Sequence, residues 1–297
     1  MKPAPFDYIV PQSLEEALGL LHDLIAQGVD VKVIAGGQSL MPLMNMRLAT
    51  PAALIDLESL SGELAYIEEG NGLLRVGPLT PHYRLEESPV IARACPIITE
   101  AEALIGHPQI RSRGTIGGSL SHADPSAELP LIWTLLEGRA ILATKTGQRV
   151  LRPQEFFISY LMTALAPDEI ITEVQLPVAL EGVGQALEEF SPRHGDFALA
   201  AVACQVSLDE AGCLRGARLA VGGAGPTPID VSEVLEGYRG EAVTEKLALA
   251  VANQMVTHLD PPDDLHASRE YRLNLVRELG RRAILKSYQR CLRTTDV

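Results

Sequence analysis

Ala35-Gly36-Gly37-Gln38-Ser39-Leu40 and Thr115-Ile116-Gly117-Gly118-Ser119-Leu120 are the two stretches that decide how this chain is interpreted. Each contains a glycine pair followed within two residues by a serine. Because glycine has no Cβ, backbone N–H groups in such turns can converge on an anion and approach it closely. Two such turns in one protein favour a diphosphate ligand, and therefore a nucleotide cofactor. For either pair alone, an ordinary tight turn after a strand is an equally good interpretation.

The composition is typical of a globular protein. The 297 residues are 46% hydrophobic and 21% charged, which allows two or three domains of ordinary size. No apolar run approaches the roughly 20 residues of a membrane helix, and the N-terminal residues lack the apolar stretch of a signal peptide. A cytoplasmic protein without membrane insertion is therefore expected. The net charge of −13 argues against nucleic-acid binding.

The residues that usually carry catalysis or metal binding form no recognisable pattern. The four cysteines have no C-x-x-C spacing, so neither a zinc site nor an iron–sulfur cluster is expected in this chain. The histidines are scattered, and no G-x-S-x-G elbow occurs. We therefore assign no catalytic residue and no metal ligand. A redox role would depend on an organic cofactor that supplies the chemistry.

The glycine pairs match neither of the two common nucleotide-binding fingerprints. G-x-G-x-x-G after a strand is absent from both, and so is G-x-x-x-x-G-K-[ST]. A Rossmann site and a P-loop are therefore unsupported. The remaining interpretation is a bipartite site, with one glycine turn directly after a strand and the other much later in the chain.

Hydrophobic periodicity and turn residues predict a mixed arrangement of helices and strands. Before the first pair and just after it, we expect a helix at 13–27, a strand at 31–35, a helix at 40–47 and a strand at 53–57. Further along we expect a hairpin of 64–68 with 73–76, helical structure at 89–105, a helix from 124 to 136, and strands at 141–143, 150–151 and 170–176. The last third is predicted to contain antiparallel strands at 197–208 and 214–221 and helices at 244–259 and 268–292.

Four side chains near the second pair have more than one interpretation. Arg111 and Arg113 are placed to offset diphosphate charge, although solvated surface arginines fit equally well. Asp124 fits the N-cap of the following helix, and we favour that role over a catalytic one. Glu128 could accept a hydrogen bond from a ring N–H or a ribose hydroxyl, or could simply be a favourable charge near a helix N-terminus.

Around these residues the sequence resembles a known family, the FAD-binding medium subunits of molybdenum hydroxylases, a group that includes xanthine dehydrogenase and carbon monoxide dehydrogenase. The resemblance covers nearly the whole chain, and no single motif carries it. The motifs, in order, are Lys32-Val33-Ile34-Ala35-Gly36-Gly37-Gln38-Ser39-Leu40, Arg113-Gly114-Thr115-Ile116-Gly117-Gly118-Ser119, His122-Ala123-Asp124-Pro125-Ser126-Ala127-Glu128, Arg193-His194-Gly195-Asp196-Phe197-Ala198, Gly222-Gly223-Ala224-Gly225-Pro226-Thr227-Pro228 and His266-Ala267-Ser268-Arg269-Glu270-Tyr271-Arg272.

The resemblance implies an α+β fold. A two-lobed FAD-binding domain of the PCMH type would occupy residues 1–178, with lobes at about 1–57 and 58–178. A smaller α+β domain with an antiparallel sheet and helices would occupy 179–297. Some family members carry a lysine before the motif at Arg193, where this chain has Glu188-Glu189-Phe190-Ser191-Pro192.

The resemblance also implies which residues bind FAD. The first stretch would hold the diphosphate and neighbouring groups, the second would hold FAD from the other lobe, and two isoleucines and two carboxylates would complete the site. These residues are Lys32, Val33, Ile34, Ala35, Gly36, Gly37, Gln38, Ser39, Leu40, Ile105, Thr115, Ile116, Gly117, Gly118, Ser119, Asp124, Glu128 and Ile171.

In this family the expected partners are a large subunit with the molybdenum cofactor and a small subunit with two [2Fe-2S] clusters, assembled as a dimer of heterotrimers. This chain would pass electrons from the clusters through FAD to an external acceptor. Two other functions stay open: a free-standing FAD oxidase or dehydrogenase with its own substrate pocket, and a non-redox protein that binds another nucleotide. The sequence identifies neither the substrate of the complex nor the electron acceptor.

Overall fold

The structure, a computed structural model, describes residues 2–295. Its first part is a three-stranded parallel sheet with the strand order β1-β3-β2, covered by a helix. The elements in chain order are β1 (Asp7–Ile9), α1 (Leu14–Ala26), β2 (Val31–Ile34), α2 (Leu40–Asn45) and β3 (Ala53–Asp56). Ser13 caps α1 by accepting a hydrogen bond from the Glu16 amide. The predicted helices and strands of this part are confirmed to within one or two residues.

The second part is built around a five-stranded antiparallel sheet with the order β4-β5-β10-β6-β7. A 3₁₀ turn (Glu58–Leu60) leads into α3 (Ser61–Leu64), β4 (Ile67–Gly70), β5 (Leu73–Val76), α4 (His82–Glu86), α5 (Pro89–Ala94), α6 (Pro96–Glu102), α7 (Pro108–Arg111), α8 (Ile116–His122), α9 (Glu128–Leu135), β6 (Arg139–Ala143), β7 (Gln148–Leu151), α10 (Pro153–Phe156), β8 (Phe157–Ser159), β9 (Met162–Thr163) and β10 (Ile170–Pro177). Helices α6 and α9 pack together with α8 beside them, and they share one hydrophobic core with this sheet.

The third part is a four-stranded antiparallel sheet with the order β11-β12-β13-β14. Its elements are β11 (Val183–Phe190), β12 (Ala200–Leu208), β13 (Leu214–Gly222), β14 (Ile229–Asp230), α11 (Glu245–Met255) and α12 (Arg269–Thr295), with 3₁₀ segments at Ser232–Tyr238 and Val256–His258. One face of the sheet packs on α11 and α12, and the other contributes to the core around α6 and α9. The α+β class and the antiparallel C-terminal sheet are confirmed.

Three local predictions differ from the structure. The helix predicted from Asp124 begins at Glu128, because the Asp124 carboxylate accepts a hydrogen bond from the Ser126 amide (2.9 Å) and stabilises a turn instead. The helical stretch predicted at 89–105 is two helices, since Pro96 has no N–H to continue the first one. The first hairpin strand starts at Ile67, because Leu64 ends α3.

Strand β11 was absent from the sequence prediction. It contains a glycine and two adjacent glutamates, which obscure the alternation that marks a half-buried strand. The glycine is required by packing: a Cβ on Gly184 would overlap the Ser287 carbonyl oxygen of α12. Long-range packing therefore determines this strand.

Candidate functional site

The first glycine pair forms a loop at the carboxyl end of β2. Gly37 has φ = +72°, a left-handed conformation that favours glycine, and it turns the chain towards α2. Among the residues that the structure describes, the backbone N–H groups of 36–39 donate to no protein acceptor. Ser39 precedes α2, but its hydroxyl makes no capping hydrogen bond. Four consecutive amides and one hydroxyl are thus available to a bound anion.

The first glycine stretch packs on the backbone that leads directly into the second. A Cβ on Gly36 would overlap the carbonyl oxygen of Arg113 and crowd the Cα of Gly114. The Arg113 guanidinium forms a two-pronged ion pair with Glu58 (3.0 and 2.9 Å), which lies two residues after the end of β3. The structure therefore brings together the two halves that the sequence predicted as one bipartite site.

The second glycine pair lies in the first turn of helix α8 and not in an open loop. Its amides all have protein acceptors: Ile116 donates to the Thr80 carbonyl (3.2 Å), Gly117 to the Pro78 carbonyl (2.9 Å) and Gly118 to the Thr115 hydroxyl (3.1 Å). The Ser119 amide donates to the Thr115 carbonyl (2.9 Å). The expectation that the amides of both pairs converge on an anion is wrong for this pair.

Close packing explains the glycine at position 117. A Cβ there would lie 2.6 Å from the Pro78 Cβ and 2.8 Å from the Pro78 carbonyl oxygen. Gly118 and Ser119 are half-buried, so they retain a face that a ligand can reach. The second pair can therefore contribute close approach and a serine hydroxyl to the site, while the first pair contributes the amide donors.

The two arginines near the second pair are already ion-paired. Besides the Arg113–Glu58 pair, Arg111 Nε lies 2.8 Å from Glu86 Oε2, and its Nη1 donates to the Ile105 carbonyl (3.0 Å). Their cationic groups are thus committed to carboxylates of the protein. Backbone amides are the better candidates for holding a diphosphate.

The apolar residues of the predicted site differ in exposure. Ile34 is buried against Met44 and Leu54, and Val33 packs beneath α1. Ala35 and Leu40 are half-buried, and Lys32 is exposed.

Ile105 is half-buried at the end of α6, whereas Ile171 lies inside the core that Ile105 packs against. Ile105 is thus the more accessible of the two isoleucines.

Glu128 is the first residue of α9 and is only 8% exposed. Burial, together with the carboxylates of Glu189, Glu102 and Asp124, raises the pKa of Glu128 to about 8. The raised pKa favours the neutral form of the Glu128 carboxyl at pH 7. The sequence predicted a polar contact from this residue but gave no sign that it would be uncharged.

The motifs of the C-terminal third pack directly onto the segments around the second pair. Gly195 (φ = +84°) lies against His107, and a Cβ there would approach the His107 ring to 2.7 Å. The Gly223 amide donates to the Pro125 carbonyl (2.8 Å). Buried Arg272 donates to the carbonyls of Leu199 (2.6 Å) and Gly223 (3.2 Å). These motifs therefore stabilise the segments at His107 and Pro125 that flank the second pair.

Sequence reasoning missed Glu58, which pairs with Arg113, and Glu189, which lies near Glu128. Glu58 lies two residues after the end of β3, which pairs in parallel with β2, so its place near the carboxyl end of β2 followed from the predicted sheet. Glu189 lies on the strand that was not predicted. Within residues 2–295, no group of three or more histidine, cysteine, aspartate or glutamate side chains is arranged to hold a metal ion. Over the same residues, no helix combines the length and the apolar character needed to cross a membrane.

Comparison with known proteins agrees with this geometry. The family described as "FAD binding domain in molybdopterin dehydrogenase" matches residues 4–179, and the family described as "CO dehydrogenase flavoprotein C-terminal domain" matches residues 185–287. The chain is 40% identical to the alpha subunit of the 6-hydroxypseudooxynicotine dehydrogenase complex of Paenarthrobacter nicotinovorans, over 100% of this chain and 99% of that relative.

Two solved structures have the same fold. A carbon monoxide dehydrogenase structure from Hydrogenophaga pseudoflava that lacks the Mo-pyranopterin moiety matches with a TM-score of 0.93 and 32% identity, over 98% of this chain and 100% of the matched one. Quinoline 2-oxidoreductase from Pseudomonas putida 86 matches with a TM-score of 0.92 and 34% identity, over 97% and 99%.

These matches define a flavoprotein class with an FAD-binding domain followed by a C-terminal domain. The chain belongs to the family of FAD-binding medium subunits of molybdenum hydroxylases, and it is an oxidoreductase subunit whose cofactor is FAD. The resemblance predicted from the sequence motifs is confirmed.

Proposed function

We propose that this chain holds FAD between its two glycine stretches and passes electrons from the [2Fe-2S] clusters of a small partner subunit to an external acceptor. A large partner subunit carries the molybdenum cofactor and oxidises the substrate, and the assembly is a dimer of heterotrimers. FAD, when bound, supplies a carrier that can exchange electrons with both one-electron and two-electron partners.

One observation carries the proposal: the loop 36–39 has four unpaired amides, and its Gly36 packs on the Arg113-Gly114 backbone that leads into the second glycine stretch. A diphosphate needs several converging donors, and this loop provides them next to the Ser39 hydroxyl. Because the guanidinium groups of Arg111 and Arg113 are committed to carboxylates, the loop amides would provide most of the diphosphate contacts. This donor set fits FAD without a Rossmann fingerprint.

The remaining residues fit roles around the same cofactor. Gly118 and Ser119 would approach FAD from the second lobe, with Thr115, Ile116 and Gly117 fixing the helix that presents them. Lys32, Val33, Ile34, Ala35 and Leu40 would position the first loop. Ile105 would provide an apolar contact to FAD, and Ile171 would support it from the core. Glu128 would provide a polar contact, and Asp124 would support it from the turn before α9.

The domain limits follow from the same division. We place the FAD-binding domain at 1–178, with lobes at about 1–57 and 58–178, and the C-terminal domain at 179–297. The first lobe contains the parallel sheet and the first glycine loop, and the second contains the five-stranded sheet and α8. The contact of Gly36 with Arg113 lies where the two lobes meet.

The decisive experiment is reconstitution of the purified chain with FAD, followed by removal of free cofactor and measurement of the visible flavin spectrum. We expect stoichiometric flavin and no comparable retention of ATP or NAD. A chain that retains no flavin, or that prefers ATP or NAD, contradicts the proposal.

Electron transfer requires the whole complex. When the chain is co-expressed with its partner subunits, the bound flavin should be reduced on addition of the substrate of the complex. The isolated flavin-loaded chain should not oxidise that substrate. Turnover by the isolated chain would instead support a free-standing FAD oxidase or dehydrogenase.

A further inference from the structure

Two buried glutamates come from different parts of the chain, and one of them, Glu128, is the residue to which the proposed function assigns a polar contact with FAD. Glu128 begins α9 in the second part, and Glu189 lies near the end of β11 in the third. Glu128 is more than nine-tenths buried, and no hydrogen bond from another described residue reaches its side chain. The Oε2 atom of Glu189 is also buried without a hydrogen-bond partner among the described residues.

The register of the third sheet determines where Glu189 points. Glu189 pairs with Ala201 of β12, which pairs with Gly222 of β13, so the three residues share one face of the sheet. That face packs on the second part, since Ala201 belongs to the core around α6 and α9 and Gly222 lies against the Pro125 carbonyl. Glu189 therefore faces the region where α9 begins.

Glu188, the neighbouring residue, faces the opposite way. Its carboxylate lies 2.8 Å from the ammonium group of Lys286 on α12, in a network with Glu100. The two adjacent glutamates thus have opposite environments: one is neutralised by a lysine and the other is buried beside carboxyl groups. This pair supplies a matched control within one strand.

The charges around Glu128 favour its neutral form. Glu189 acts on it from β11, Glu102 from α6 and Asp124 from the preceding turn, and all three are carboxyl groups. Glu102 is itself paired with His82 of α4 (3.0 Å), and Arg111 is paired with Glu86. His122 on α8 is half-buried, and its burial lowers its pKa, which disfavours a positive charge there. Burial raises the pKa of Glu189 to about 7, so Glu189 carries a negative charge over much of the pH range in which Glu128 loses its proton.

We propose that Glu189 is a positioning residue that acts through Glu128: the two carboxyl groups compete for protons, so that Glu128 meets FAD as a neutral hydrogen-bond donor. This inference rests on the proposed function. A neutral carboxyl can donate to a carbonyl oxygen of the flavin ring, and a buried acid kept neutral for that purpose is established chemistry. An ionised Glu128 would lose this donor and would add a charge near the anionic diphosphate.

The test is the pH dependence of FAD affinity, measured by equilibrium titration of the apo chain between pH 6 and 9. In the unmodified chain the affinity should fall about tenfold across this range, as expected when a hydrogen bond to a buried group is lost. The Glu128→Gln variant keeps an N–H donor, so its affinity should stay within about twofold at every pH.

The Glu189→Gln variant should retain FAD at pH 6, but its fall in affinity should begin about one pH unit lower, because a neighbouring negative charge has been removed. The matched Glu188→Gln variant should show the unmodified profile. A purely structural role for Glu189 would change the affinity equally at all pH values and would not move the midpoint.

The outcomes separate the two proposals. If the unmodified chain binds no FAD at pH 6, the proposed function fails. If it binds FAD but its affinity rises with pH, or if Glu189→Gln leaves the midpoint in place, only the role of Glu189 is overturned. An infrared band of a protonated carboxyl group that disappears in Glu128→Gln at pH 7 would support the neutral form directly, and a band unchanged in that variant would contradict it.

Discussion

Gly36-Gly37 and Gly117-Gly118 are each flanked by small and hydroxyl-bearing residues, yet their backbones are used in different ways. The first pair follows a parallel strand, adopts a left-handed turn at Gly37 and leaves its amides without protein partners. The second pair lies inside a helix whose first-turn amides are satisfied by the Pro78 and Thr80 carbonyls and by Thr115. Similar motifs therefore indicate a donor loop in one lobe and a close-packed helix in the other.

The difference shows that glycine has two separate uses here. At Gly37 it permits a backbone conformation, and at Gly117 it leaves room for a neighbouring segment. Substitutions should consequently damage ligand binding at the first pair and folding at the second. The three predictions below test that separation, beginning with the largest effect.

Gly117→Val should reduce the free energy of unfolding by about 3 kcal/mol, because the added side chain collides with the backbone of Pro78. Urea unfolding followed by circular dichroism measures this change. Gly62→Val is the control, since a Cβ at that helical position meets no atom within 4 Å. Equal unfolding midpoints for the two variants would refute the packing account of the second pair.

Gly37→Val should abolish FAD retention while the chain still unfolds cooperatively. Its left-handed backbone costs about 1–2 kcal/mol with a side chain present, and relaxation of that strain would turn the loop amides away from the ligand. The contacts of the new Cβ are flexible side chains of Ile34 and Met41, so the fold should survive. Flavin content after reconstitution, together with the unfolding midpoint, checks both statements.

The matched control for this loop is Gly28→Val. Gly28 has φ = +76° at the end of α1, with no atom near its Cβ position. This variant carries the same backbone strain outside the site and should retain FAD. Loss of FAD in both variants would mean that strain in the first lobe, and not the loop itself, governs binding.

The two hydroxyls that accompany the glycine pairs should give the smallest effects, again of opposite kinds. Ser39→Ala should weaken FAD binding by about 1 kcal/mol, because its free hydroxyl is available to a phosphate oxygen. Thr115→Ala should instead lower the free energy of unfolding by about 1 kcal/mol, since its hydroxyl caps α8. Titration calorimetry measures FAD binding and urea unfolding measures stability for both variants. Weaker FAD binding in Thr115→Ala, or lower stability in Ser39→Ala, would contradict these roles.

Several features of the fold were predictable because their causes are local. Ser13 and Glu16 mark the start of α1, the apolar run 31–34 marks β2, and the pair Asn71-Gly72 marks the hairpin turn, where both residues have positive φ. Short-range hydrogen bonds and backbone preferences act over a few residues, so the sequence window that contains them is sufficient.

Features that depend on distant segments were not predictable. Strand β11 forms because its glycine fits beneath α12, where a Cβ on Gly184 would overlap the Ser287 carbonyl oxygen. The pairing of Arg113 with Glu58 also joins residues that are 55 positions apart in the chain. None of these contacts has a signature in the local pattern.

The sequence by itself determined the α+β class, the family and the two glycine stretches that form the candidate FAD site. Ordered motifs and hydrophobic periodicity depend only on residues that are close together in the sequence. Only the tertiary structure decided which glycine pair keeps its amides free, since that depends on whether another segment supplies acceptors. It also decided that the pKa of Glu128 is raised, because folding buries this residue and brings carboxyl groups of β11, α6 and the turn before α9 close to it. Hydrogen-bond satisfaction and electrostatics are properties of neighbours in space, and those neighbours exist only after folding.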